Sequence, residues 1–120
     1  MRETPFFKQA DLLVQVMPFV NAEACFALKG GTAINFFVRD FPRLSVDIDL
    51  VYLPLEDRPT TLRGIDTALQ RIAAKIRRAM PTAQVREHHT VSDKRLVKLT
   101  VRAQGGAEVK IEPNTVLGAA

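Results

Sequence analysis

Two aspartates are the residues of this chain whose type and spacing most clearly suggest chemistry. Asp47 and Asp49 lie two residues apart in the segment 45–53, where apolar and polar residues alternate. Residues two apart in a β-strand project from the same face, so the two carboxylates are predicted to lie side by side. Two acids on one exposed face repel each other unless a cation lies between them. Their oxygen donors suit Mg²⁺.

A predicted anion site precedes these aspartates at Gly30, Gly31 and Thr32. Glycine lets the backbone approach a ligand, and the apolar spacing in residues 34–38 predicts a helix that begins at Thr32. The N–H groups at a helix N-terminus and the Thr32 hydroxyl would then bind phosphate. Alone, such a turn more commonly joins a strand to a helix, and a lone aspartate pair is more commonly a solvated or salt-bridged surface. Together they favour binding of a nucleoside triphosphate (NTP) with divalent metal ions, and hence nucleotidyl transfer.

A third acid is expected on a neighbouring strand, and Glu108 and Glu112 are the candidates. Both alternate with apolar residues over 107–112, as does Lys110, so these three side chains share one face. Glu112 is preferred because Lys110 stands beside it and could neutralise triphosphate charge. The alternative is an ordinary amphipathic edge strand with exposed charges.

Two further polar residues lie just before the aspartates. Arg43 is predicted to orient a carboxylate or to meet a phosphate, with a plain surface charge as the alternative. Ser45 shares the predicted face of Asp47 and is expected to support the site.

The elements that must position these residues follow from hydrophobic spacing and from Gly and Pro. The pattern predicts a single domain of α/β (α+β) class, with a mixed β-sheet and helices packed against it. The predicted elements are a helix over 8–17 that stops before Pro18, a strand over 24–29, the helix from Thr32, a strand over 45–53, a helix from an N-cap at Thr60 or Thr61 to about Met80, and strands over 84–89, 96–103 and 107–112, the last two joined by a turn at Gly105 and Gly106.

Composition narrows the class of protein. The 120 residues include one cysteine, Cys25, which excludes an internal disulfide and fits a reducing, cytoplasmic compartment. No apolar run approaches the ~20 residues of a membrane-spanning helix. The net charge is +4, and a basic cluster could face a polyanion, although a solvated helix face explains it equally well. That cluster comprises Arg71, Lys75, Arg77, Arg78 and Arg86.

These motifs resemble the nucleotidyltransferase superfamily, and more closely the AbiEii/AbiGii toxins of abortive-infection and type IV toxin–antitoxin systems. The family string LKGGTAL followed by RxSxDIDL is matched by residues 28–34 and 43–50, and its later KxE element by residues 110–112. The resemblance implies a nucleotidyltransferase fold and a transfer of NMP from an NTP that depends on Mg²⁺ (or Mn²⁺). It implies Asp47, Asp49 and Glu112 as catalytic metal ligands. The implied nucleotide-binding residues are Gly30, Gly31, Thr32, Arg43, Ser45 and Lys110.

The resemblance also implies partners. Family members are described as modifying tRNA or protein and as being restrained by a cognate antitoxin. Relatives commonly continue into a C-terminal helical region, so the chain is expected to represent the N-terminal catalytic core. The alternatives are an inactive remnant that binds a nucleotide or a partner, and a remnant that associates with itself into a homo-oligomer.

Overall fold

The computed structural model describes residues 5–29, 34–38 and 44–115 of the chain. The described part contains two helices and six strands. In chain order they are α1 (Pro5–Asn21), β1 (Phe26–Leu28), β2 (Ile34–Val38), β3 (Leu44–Tyr52), α2 (Arg58–Ala79), β4 (Gln84–His89), β5 (Leu96–Arg102) and β6 (Glu108–Thr115).

The strands form one mixed sheet with the order β1-β3-β6-β5-β4, and β2 also pairs with β3. The β3–β6 pair is parallel, whereas the other pairs are antiparallel. The strands β1 and β2 share one edge of β3, with Leu28 opposite Leu50 and Ile34 opposite Ile48. The central strand β3 therefore has β6 along one edge and two shorter strands along the other.

Both helices pack on one face of this sheet. Alternate residues of β3 enter the core there: Val46, Ile48 and Leu50 are at most 1% exposed. The neighbouring strands and α2 contribute the rest of the central core, because their apolar residues repeat with the period of the element that carries them. These residues include Leu99, Val101, Val109, Ile111, Ile65, Leu69, Ile72 and Ile76. The mixed α/β architecture predicted from the sequence is thus confirmed.

The predicted helix from Thr32 is wrong, because residues 34–38 form the strand β2. The apolar positions 34, 37 and 38 do fit a helical spacing. However, Ile34, Phe36, Phe37 and Val38 are β-branched or aromatic residues, which favour strands, and β3 offers them an open edge. Residues 34–38 therefore do not form the helix whose N-terminus was expected to bind phosphate.

Two helix boundaries also differ from the prediction. Helix α1 continues through Pro18 to Asn21, and Val20 of that last turn is 2% exposed. Pro18 and Val14 are both exposed, so the Val14 carbonyl that loses its usual partner faces solvent. Helix α2 is capped by Asp57 rather than by Thr60 or Thr61, since the Asp57 carboxylate accepts a 2.9 Å hydrogen bond from the Thr60 amide.

The predicted turn at Gly105 and Gly106 is present between β5 and β6. Gly106 has φ 97°, a conformation that glycine adopts without strain. The Ala103 amide donates to the Ala107 carbonyl across the turn. Within the described ranges, neither helix has the length and apolar character needed to cross a membrane.

Candidate active site on the open face of the sheet

The sheet face opposite the helices carries mostly polar side chains, and we call it the open face. Register fixes which residues lie side by side there. Ser45 pairs with Glu108, Asp47 with Lys110, and Asp49 with Glu112. On the other side of β6, Lys110 pairs with Thr100, which pairs with Arg86. The positions of the open face on β3, β6, β5 and β4 include Ser45, Asp47, Asp49, Val51, Glu108, Lys110, Glu112, Lys98, Thr100, Arg102, Gln84, Arg86 and His88.

The predicted acids Asp47, Asp49 and Glu112 occupy adjacent positions of this face together with Lys110. We call these four residues the acidic block. Asp47 and Asp49 are half-buried and Glu112 is exposed. Neither aspartate forms a hydrogen bond or an ion pair with another described side chain. Because two neighbouring carboxylates repel each other, a cation bound between them would be favourable at this part of the sheet.

The glycine motif lies in the connection between β1 and β2. Gly30, Gly31 and Thr32 are outside the described residues, as is Arg43, so their predicted roles remain predictions. The ends of that connection are placed. The Lys29 amide donates a 3.1 Å hydrogen bond to the Asp49 carbonyl, and Ile34 pairs with Ile48. The two described residues that border the glycine segment, Lys29 and Ile34, therefore lie beside Asp49 and Ile48 of β3.

Register separates the two candidates for the third acid. Glu112 lies opposite Asp49, whereas Glu108 lies opposite Ser45. The Glu108 carboxylate is also engaged by Arg102, at 3.2 Å. The geometry therefore favours Glu112.

Ser45 lies on the predicted face, but it is only 1% exposed and its hydroxyl has no hydrogen-bond partner in the described structure. A buried hydroxyl without a partner costs free energy. Ser45 is thus a buried neighbour of the acidic block, and its predicted role toward the nucleotide remains a prediction.

The described residues contain no ready-made cluster of three or more His, Cys, Asp or Glu side chains around a metal position. The pair of unpartnered carboxylates nevertheless fits Mg²⁺, which is commonly held by one or two carboxylates and completed by waters and substrate phosphates. Asp47 and Asp49 supply the two carboxylates. Glu112 and Lys110 border them.

Three cations lie on the same face, of which the sequence analysis named Lys110 for the site, grouped Arg86 with the basic residues of α2, and missed Lys98. Arg86 of β4, Lys98 of β5 and Lys110 of β6 form no ion pair or hydrogen bond within the described part of the chain. In the sequence, Arg86 alternates in step with Gln84 and His88, and Lys98 with Thr100 and Arg102, which predicts that each set lies on one face of its strand. This alternation is a signal that could have identified them. It was obscured because Arg86 is near the basic residues of α2 in sequence, although the fold places it on the opposite face.

The remainder of that basic cluster lies on α2 and is partly neutralised. Arg71 binds the Glu23 carboxylate at 2.7 Å, and Arg77 binds Glu87 at 3.0 Å. Lys75 and Arg78 form no such contact with another described residue.

The pKa of His88 is influenced by the positive charges of the open face. Its Nε2 lies 2.8 Å from the Thr100 hydroxyl. Burial lowers the pKa of His88, and the nearby charges of Lys98, Arg86 and Lys110 lower it further. Both effects disfavour the protonated imidazole, and the Glu108 carboxylate opposes them more weakly.

A shallow cavity of about 150 Å³ lies beside this histidine on the open face. Its walls are Gln84, Arg86, Thr100, Arg102 and Glu108. A larger cavity of about 380 Å³ lies on the helix side, between α1 and the β5–β6 turn, and is lined by Lys8, Asp11, Gln15 and Met80 among others. That larger cavity is remote from the acidic block and contains none of its residues.

A comparison with protein-family models finds one whose description is nucleotidyl transferase AbiEii toxin, type IV TA system. It matches residues 11–119, which is most of the chain. Neither the curated proteins nor the solved structures include a significant match to this sequence.

Proposed function

Because the chain belongs to the AbiEii family of type IV toxin–antitoxin nucleotidyl transferases, we propose that it transfers a nucleoside monophosphate from an NTP to a hydroxyl of RNA (such as tRNA) or protein. The observation that carries the proposal is the pair Asp47 and Asp49. The two carboxylates share the open face, lack partners among the described side chains, and flank Ile48, which pairs with Ile34 at the border of the glycine segment.

The roles of the site residues follow from their positions. Asp47 and Asp49 would hold the metal ion, with Glu112 as a further ligand. When bound there, Mg²⁺ or Mn²⁺ offsets triphosphate charge and lowers the pKa of the attacking hydroxyl. Lys110 stands between the acids of the block and would attract the phosphates.

Gly30, Gly31 and Thr32 would bind the triphosphate through backbone amides and the hydroxyl. Since β2 rather than a helix follows, this role does not depend on a helix dipole. Arg43 would contribute a further charge near the phosphates, and Ser45 would support the strand beneath Asp47.

The family also points to a partner. We propose that a cognate antitoxin restrains the activity and that the protein acts in the cytoplasm, where NTPs and tRNA are present. The single free thiol, Cys25, fits a reducing environment.

The test is incubation with each α-³²P-labelled NTP, Mg²⁺ and total tRNA, followed by separation on RNA and protein gels. Asp47→Asn or Asp49→Asn should reduce label transfer by at least about 100-fold, as expected when a group that stabilises the transition state is lost. The matched control is Asp11→Asn, which removes an exposed carboxylate from α1 and should leave transfer unchanged.

Label on RNA identifies a nucleic-acid acceptor, and label on protein identifies a protein acceptor. Full transfer by Asp47→Asn would refute the proposed site. If the folded wild-type protein binds Mg²⁺ and NTP without any transfer, the alternative of an inactive nucleotide-binding remnant is correct instead.

A further inference from the structure

We propose that Arg86, Lys98 and Lys110, which we call the cationic strip, bind the phosphate backbone of a single-stranded RNA end whose terminal hydroxyl lies at the acidic block. The proposal rests on the proposed function for the role of that block. It goes beyond it by selecting RNA as the acceptor and by naming the surface on which the RNA lies.

The first argument is the distribution of charge on the open face. Asp47 and Asp49 lie on β3, and Glu112 lies beside them on β6. The cations of the strip lie progressively farther from these acids, on β6, β5 and β4. Neighbouring strands are about 4.8 Å apart, so Arg86 lies three strand spacings, about 14 Å, from Asp47 along one row of the sheet. The face is therefore acidic at one end and basic at the other.

The second argument is that the charges of the strip are available. None of its three cations forms an ion pair or hydrogen bond with another described residue. Some basic side chains elsewhere are engaged, for example Arg71 by Glu23 and Arg95 by Asp93, whereas Lys75 and Arg78 of α2 are not. Closely spaced cations without counterions repel one another, and these three add to the effect of burial, which is the larger cause of the lowered pKa of His88. A polyanion would relieve this repulsion.

The third argument is shape. Arg86 forms one wall of the shallow cavity, whose other walls include Thr100 and Gln84. Such walls offer hydrogen-bond donors to a phosphate that Arg86 attracts. Arg102, by contrast, also borders the cavity but is engaged by Glu108, so it is left out of the strip.

The chemistry of the acceptor selects RNA. Every RNA end carries phosphates next to its terminal hydroxyl, so a hydroxyl at the acidic block necessarily brings anions along the sheet. A hydroxyl group of a protein acceptor is not necessarily accompanied by a series of neighbouring anionic groups. Contacts to phosphates position a strand without reading its sequence.

The test measures binding of a short fluorescent single-stranded RNA by polarisation, over a series of salt concentrations and without NTP. The variant Arg86→Gln/Lys98→Gln should bind about tenfold more weakly. The slope of log K against log salt concentration should be smaller in magnitude by about 1.4, because each phosphate contact contributes about 0.7 to that slope for single-stranded RNA. Lys110 is left intact because it belongs to the acidic block.

The matched control is Lys75→Gln/Arg78→Gln. It removes the same charge from two unpaired cations of α2, on the other side of the molecule. RNA binding by this variant should equal that of the wild type. Equal losses in the two variants would mean that only net charge affects RNA binding, and they would overturn the proposal. Unchanged binding in both variants would also overturn it. A poly-glutamate probe that binds as tightly as RNA and weakens equally would also overturn it, in favour of an acidic protein.

Two further measurements separate this proposal from the proposed function. Circular dichroism should show both double variants folded, and Mg²⁺-NTP affinity should be unchanged in Arg86→Gln/Lys98→Gln. If the wild type binds RNA through the strip but transfers no label, the strip is correct and the proposed transfer is wrong. If transfer to RNA occurs and is unaffected by the strip variant, the transfer is correct and the strip is wrong.

Discussion

The two faces of the sheet use charge in opposite ways. On the helix side, charged residues near the core are paired: the Glu23 carboxylate, 5% exposed, accepts hydrogen bonds from Arg71 at 2.7 and 3.1 Å, and Arg77 binds Glu87. On the open face, most charges have no such partner in the described structure, and the Arg102–Glu108 pair is the exception. Paired charges hold the fold together, whereas unpaired charges are available to a ligand.

The difference between the two faces is also present within the single strand β3. Ile48 is fully buried beneath the helices, and its neighbours Asp47 and Asp49 face the other way. Substitutions one residue apart should therefore affect different properties, and three predictions test this division from the largest effect to the smallest.

Ile48→Ala should lower the free energy of unfolding by about 2–5 kcal/mol, because it removes buried methyl groups and leaves a cavity. Asp47→Asn should change it by no more than about 0.5 kcal/mol, as is usual for substitutions outside the core. Urea denaturation followed by circular dichroism measures both. A loss in Asp47→Asn as large as that in Ile48→Ala would show that the open face also supports the fold.

Arg71→Ala should lower the free energy of unfolding by about 1–2 kcal/mol, less than for a fully buried pair because Arg71 itself is 52% exposed. The cause is the Glu23 carboxylate, which would remain buried without its partner. Arg86→Ala removes the same side chain from the open face and should leave stability unchanged. Thermal denaturation of the two variants compares them directly, and equal midpoints would contradict the division between paired and unpaired charge.

The smallest expected effect is a dependence of stability on pH that comes from His88. Its pKa is lowered in the folded protein, so the unfolded chain binds more protons as the pH falls below about 6.5. Stability should therefore decline as the pH drops through this range. In His88→Gln, the free energy of unfolding should therefore decline less than in the wild type, by a difference of less than about 1 kcal/mol. Urea titrations at pH 7 and pH 5 provide the measurement, with His89→Gln as the exposed control, and a steeper decline in His88→Gln would contradict the assignment.

Local patterns in the sequence predicted much of the fold. The alternation around Asp47 and Asp49 located β3 and both of its faces, and the spacing of Ile65, Leu69 and Ile76 located α2, because periodicity is a property of neighbouring residues. Residues 34–38 were misassigned because five residues can satisfy a helical and a strand pattern at once. The available edge of β3, which decides between them, is not local information.

Pairing between distant strands explains what else was missed. Nothing near Glu112 in the sequence shows that it lies opposite Asp49, since the register of β3 with β6 joins residues about sixty positions apart. For the same reason, Arg86 was grouped with α2 by its place in the chain. The acids of the candidate site and Lys110 were identified from their motifs, whereas the placement of Arg86 and Lys98 on the same face depended on topology.

The position of β6 has a consequence for when activity arises during synthesis. This strand is inserted between β3 and β5, both of which precede it in the chain, and Gln9 of α1 binds the amide and the carbonyl of Glu108 at its beginning. Contacts between segments so far apart form late and slow folding. A nascent chain on the ribosome would therefore display its aspartates without Lys110 and Glu112 beside them until β6 has emerged.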